Sequence, residues 1–149
     1  MAQLLRLLVL LTGGSSAGKT TTAKRLCTQL RVNGVPAAMH LSTDDYFVGN
    51  ARNPKDANGD YDYETIEAVD RARLVRDLTA LLGGAPVHLR RFDFVAHDGF
   101  DAPRPTRLPD GGVVVLEGLH ALNPRLVEGL PAACGFRLFI EPKTQLEIF

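Results

Sequence analysis

The stretch "GGSSAGKT", Gly13 to Thr20, limits this chain more than any other feature. It fits G-x-x-x-x-G-K-[ST], and its flanks are those the pattern requires. An apolar run, residues 4–11 broken only by Arg6, precedes it, and a segment of helical spacing follows. Glycines let backbone N–H groups wrap around phosphate oxygens, and a helix N-terminus adds partial positive charge. The loop residues Gly13, Gly14, Ser15, Ser16, Ala17, Gly18, Lys19, Thr20 and Thr21 are therefore the expected phosphate cradle. Lys19 would reach the β- and γ-phosphates, and the Thr20 hydroxyl would ligate Mg²⁺.

The start "MAQLLRLLVLLTGGSSA" also imitates a secretory signal peptide, but cleavage near Ala17 would destroy the loop, so the run is read as a buried strand. No later run has the ~18 apolar residues of a membrane span. The 149 residues carry 17 basic and 17 acidic side chains and read as a single domain, 1–149. That balance argues against broad nucleic-acid or membrane-surface binding. Cys27 and Cys134 form no CxxC pair and read as reduced thiols of a cytoplasmic protein without a zinc site.

Along the chain, strands are expected at "VPAAMHLS", weakly at 86–94, at "VVVLEG" and at "FRLFIE". Helices are expected after the glycine-rich loop, over "ETIEAVDRARLVRDLTALLGG", near Pro124 to Leu130 and from "PKTQLEIF". Residues 43–63 and 97–112 read as long loops rich in Gly, Pro, Asn and Asp. Strands alternating with helices predict an α/β fold, a central parallel sheet flanked by helices in three layers.

Ligands of such a sheet sit at the carboxyl ends of its strands. Asp44 and Asp45 end the second strand, and Glu117 ends "VVVLE". Phosphoryl transfer needs a Mg²⁺ partner, which suits Glu117 directly or through water, and a proton acceptor, which suits one aspartate. Neighbours in an extended chain point to opposite sides, so both aspartates are not expected to face the phosphate.

"GGSSAGKTT", "LSTDDYF", "NGDYDYETIEAVD", "FDFVAH" and "VVVLEGLHALNP", in this order, resemble the uridine kinase and phosphoribulokinase group of P-loop kinases. The resemblance implies ATP and Mg²⁺, and a small-molecule acceptor, a pyrimidine nucleoside before ribulose 5-phosphate or pantothenate. It places the catalytic aspartate on Asp44, the magnesium glutamate on Glu117 and the sugar-hydroxyl acid on Glu64, with Asp62 close by. Phe92 and Phe94 would flank the base and His97 would bond its edge; a tyrosine is more usual at the position of Phe92. Many members self-associate, so a homo-oligomer fits as well. Beside these stand plainer readings: Phe92 and Phe94 as strand core, His97 as a solvated loop residue, His40 and His120 as locally bonded, and Arg90 and Arg91 as a solvated pair.

"DANGDYDYETIE" imitates a calcium loop, with Asp56, Asn58, Asp60, Asp62 and Glu67 in ligand register, but Tyr61 stands where the turn needs glycine. The family's arginine-rich lid lies beyond the point where this chain stops. A piece of a longer protein is thus expected, or else a nucleotide-binding module that catalyses poorly.

Overall fold

The computed structural model describes residues 5–14, 17–131 and 135–141. β1 (Leu7–Gly13) has no polar side chain before Thr12, and such a strand needs cover on both faces. It lies inside a four-stranded sheet in the order β2-β5-β1-β6, formed with β2 (Ala38–Ser42), β5 (Val113–Glu117) and β6 (Phe136–Ile140), and every pairing is parallel.

The side-chain alternation of β1 and β5 divides the core in two. Val9, Val113 and Val115 pack with Ala23 and Cys27 of α1 (Lys19–Val32). Leu8, Leu10, Val114 and Leu116 point to the other face and pack with Leu74, Leu78 and Leu81 of α2 (Arg71–Leu82). Helix, sheet and helix thus make the three expected layers. Cys27 is a buried free thiol whose pKa is raised by that burial, against a smaller opposing effect of Arg31. Cys134 and the helix expected from residue 142 lie outside the described residues. Among the described residues no helix is long and apolar enough to cross a membrane.

Two expectations need correction. The continuous helix expected from Glu64 is broken. Residues Ile66–Ala68 form a 3₁₀ turn capped by Thr65, Val69 turns extended to bridge Phe47, and α2 begins only after Asp70. The Asp70 carboxylate accepts from Arg73 N at 3.1 Å while its own N–H donates to the Tyr46 carbonyl at 2.7 Å. Capping side chains inside an apolar helical period ended one helix and started another. Secondly, the loop expected at 97–112 contains β4 (Asp98–Asp101), antiparallel to β3 (Arg90–Asp93). The hairpin turn is set by Asp93, whose carboxylate accepts from Val95 N and Ala96 N, bonds that lower its pKa. A short α3 (Pro124–Val127), capped by Asn123, completes the described elements.

Buried polar groups tie the hairpin to the sheet side. The fully buried Tyr46 donates its hydroxyl to Asp77 Oδ2 at 3.0 Å, and burial together with that carboxylate pushes its pKa up. Arg73 Nε also donates to Asp77 Oδ2, at 2.9 Å, and Arg73 Nη2 reaches Asp101 of β4 at 2.9 Å.

Candidate active site

The carboxyl ends of β1, β2 and β5 converge on one cleft of about 530 Å³. At one end it is lined by Gly18, Lys19, Thr20, Thr21, Asp44 and Glu117. Gly18 stands at the N-cap of α1 with φ 80°, a left-handed conformation that costs glycine little. Lys19 Nζ donates to the Gly14 carbonyl at 2.8 Å. Gly13, Gly14 and Ala17 are not in the lining, and Ser15 and Ser16 lie outside the described residues.

Glu117 is buried, 3% exposed, and its Oε1 accepts from the Thr20 hydroxyl at 2.8 Å and lies 3.1 Å from His40 Nε2. Burial alone would raise its pKa, but hydrogen bonds from His40 and Thr20, the His40 ring and Ser42 outweigh that and hold it below the usual carboxylate range. His40, inside β2, is held by a carboxylate of the cleft and not by a bond within its own segment. His120 has a local contact, Asn123 Nδ2 to Nδ1 at 3.3 Å, and a distant one, Nε2 to the Glu64 carbonyl.

Asp44 and Asp45 lie in a 3₁₀ turn, Thr43–Tyr46, not in extended chain, and Ser42 Oγ accepts from Asp44 N at 3.2 Å. Successive side chains of such a turn diverge by about 120°, so the two aspartates still part company. Asp44 opens onto the cleft, and its pKa is raised by burial among the surrounding walls and by the charge of Glu117, with Lys19 opposing. Asp45 faces the hairpin: Oδ1 accepts from Phe92 N at 3.3 Å and Oδ2 pairs with Arg91 at 3.4 Å.

The rest of the lining is Phe47, Tyr63, Glu64, Phe94, His97 and Leu119. Glu64 and not Asp62 faces the cleft, because the Asp62 carboxylate is turned back to accept from Glu64 N at 3.0 Å. Phe94, 58% exposed, and His97 are in the lining, whereas Phe92 is buried behind it, 5.1 Å from Phe94 and 5.5 Å from Phe47 between ring centroids. Phe92 therefore takes the strand-core role and braces the two rings in front of it. Sequence reasoning missed Phe47, Tyr63 and Leu119. Phe47 stands three positions after Asp44, a spacing that a 3₁₀ turn aligns, but the extended chain expected there hid it.

Thr43 and Gly118, next to the two acidic strand ends, pack with no room for a further atom. A Cβ at Gly118 would overlap Thr43 Oγ1 and lie 2.8 Å from Thr43 Cβ and Cγ2. Gly118→Ala is expected to destabilise the protein by about 1–3 kcal/mol through overpacking. A chemical-denaturation midpoint unchanged from the parent chain would refute this.

The donor set suits a hard cation. Thr20 spends its proton on Glu117, which leaves its oxygen lone pairs free, and oxygen donors are what Mg²⁺ prefers. Among the described residues no group of three or more His, Cys, Asp or Glu side chains is placed to hold a metal by itself. That fits an ion bound through one or two protein oxygens plus phosphate.

The sequence matches the phosphoribulokinase / uridine kinase family over residues 8–149. A uridine kinase of Deinococcus deserti is 38% identical over 110 residues, which cover 74% of this chain and 51% of that one. A uridine kinase of Schizosaccharomyces pombe is 31% identical over 120 residues, 79% of this chain and 25% of that one. The chain thus spans about half the length of the curated relatives it matches, or less. A solved structure described as a possible uridine kinase from Bacillus stearothermophilus shares the fold, with a TM-score of 0.73 at 21% identity, over 96% of this chain and 74% of that one.

Proposed function

This chain belongs to the phosphoribulokinase / uridine kinase family, and on that premise we propose that it serves ATP-dependent phosphoryl transfer to the 5′-hydroxyl of a pyrimidine nucleoside. The observation that carries this reading is the single cleft that runs from Lys19, Thr20, Asp44 and Glu117 to Tyr63, Glu64, Phe94 and His97. That lining sets a cation, carboxylates and a hydroxyl for the reacting groups beside aromatic rings for a base.

In this reading Asp44 accepts the proton of the attacking hydroxyl, and its raised pKa makes it a stronger base than an ordinary aspartate. Lys19 holds the transferring phosphate, and the backbone N–H groups at the start of α1 bind its neighbours. Thr20 and Glu117, the latter directly or through water, would hold Mg²⁺, which would supply positive charge against the negative charge of the phosphoryl oxygens. Glu64 accepts from the sugar hydroxyls, and the exposed ring of Phe94 stacks on the base. Positioning and electrostatics do most of the work in such a transfer.

A coupled assay of ADP release with uridine, cytidine, ribulose 5-phosphate and pantothenate tests the reading. Turnover with the two nucleosides is expected to exceed that with the others. Turnover confined to a sugar phosphate or pantothenate would move the substrate elsewhere, and none with any acceptor would sink the kinase reading.

A further inference from the structure

His97 is held in an unusual way. It is the only non-glycine residue with positive φ, 53°, among the described residues, at the end of the hairpin turn. Side chains visit that region rarely, and where one is kept there its surroundings hold it. The holding contacts form a closed triangle with two residues that no motif singles out. Asn50 N donates to the His97 carbonyl at 3.2 Å. The Tyr63 hydroxyl donates to Asn50 Oδ1 at 2.5 Å and lies 3.4 Å from His97 Nδ1. Gly49, at φ 81°, brings its chain so close to the hairpin that a Cβ there would lie 2.9 Å from Asp98 Oδ1.

The triangle has a definite proton order. A separation of 2.5 Å suits O–H···O and is too short for N–H···O, so the Tyr63 proton is spent on Asn50. A phenol has one proton. The remaining contact, to His97, then requires the imidazole to be the donor, from Nδ1–H. In neutral imidazole, a proton on Nδ1 leaves Nε2 as a bare acceptor. Burial raises the pKa of Tyr63, with a further push from Tyr61, so the phenol keeps its proton. Nε2 itself has no hydrogen-bond partner among the described residues, and His97 lines the cleft.

We propose that Asn50 and Tyr63 are positioning residues that hold His97 as its Nδ1–H tautomer, so that Nε2 accepts a hydrogen bond and selects a nucleoside presenting an N–H at that edge. The choice of ligand rests on the nucleoside reading of the cleft; the tautomer does not. The N–H could come from the ring of a uracil-like base or from the exocyclic amine of a cytosine-like one.

Long-range ¹H–¹⁵N spectra of the ligand-free chain in mildly alkaline buffer read the tautomer directly. His97 is expected to show a protonated Nδ1 and a bare Nε2, the form free histidine favours less. Two substitutions should change it by different routes. Tyr63→Phe removes the partner and should return the ring to the Nε2–H form. Asn50→Leu frees the Tyr63 proton to turn to Nδ1, which also imposes Nε2–H while keeping the tyrosine. A merely structural role would leave the tautomer alone. A protonated Nε2 in the parent chain, or a tautomer unmoved by both substitutions, would overturn the assignment.

Binding of uridine, 3-methyluridine, cytidine and N4,N4-dimethylcytidine then identifies the donor. Methylation of the N–H that is read should weaken binding about 10-fold in the parent chain and by much less in Tyr63→Phe. Equal binding of the methylated and parent nucleosides would overturn the selection. Failure of every nucleoside to bind, with the tautomer as expected, would overturn the nucleoside reading and leave the assignment of the tautomer standing.

Discussion

Asp44→Asn is expected to lower kcat/KM by about 10²-fold or more while the fold stays intact, because asparagine keeps the shape and loses the basic oxygen. The Ser42 hydroxyl bonds the backbone of residue 44, so the 3₁₀ turn does not depend on the carboxylate. The pH profile gives a second reading of the same group. In the proposed role Asp44 acts ionised, and its pKa is raised above the ordinary 3.8 by burial and by Glu117. Activity should therefore be lost, as pH falls, through a midpoint above the ordinary aspartate range, and be flat above it. The asparagine variant should lack that limb. Turnover within a few-fold of the parent chain, measured under steady-state conditions, would show that Asp44 is not the base.

Lys19→Ala should cost about 10²–10³-fold in kcat, the scale of removing one preorganised charge from a developing anion. Among the described residues its ammonium donates to the exposed Gly14 carbonyl alone, so the loss of this contact should leave the thermal midpoint nearly unchanged. Separate titration with ATP distinguishes lost binding from lost chemistry. A variant whose kcat matches that of the parent chain would remove Lys19 from the transfer.

Much of this was legible in the chain itself, and the reasons are specific. The run before Gly13 and the apolar "VVVLE" could only be buried strands, and a parallel sheet sends their carboxyl ends to one place. Once Gly13–Thr20 marked that place, Glu117 and the pair Asp44 and Asp45 followed as candidates, and only the family resemblance chose Asp44 from the pair. The hairpin did not, because Asp93 makes its turn through backbone hydrogen bonds that composition does not advertise. The break at Asp70 was hidden by apolar residues that kept a helical period on both sides of it. Tyr63 and Asn50 were invisible for a third reason. Residues 13 and 34 positions further along give each its role, and no local pattern encodes a triangle.

The paired aspartates of "LSTDDYF" have a consequence for how such a protein changes over time. Asp44 opens onto the cleft, while Asp45 ties down the hairpin that carries Phe94 and His97. The hairpin is a separate two-stranded sheet that shares no strand with the one bearing the phosphate loop. On the proposed function, mutation could redraw residues 94–97 and test new acceptors while the four-stranded sheet with Lys19, Thr20 and Glu117 stays as it is, provided Asp45 keeps its grip. One residue type, used twice in succession, separates the part of the molecule that is free to vary from the part that is not.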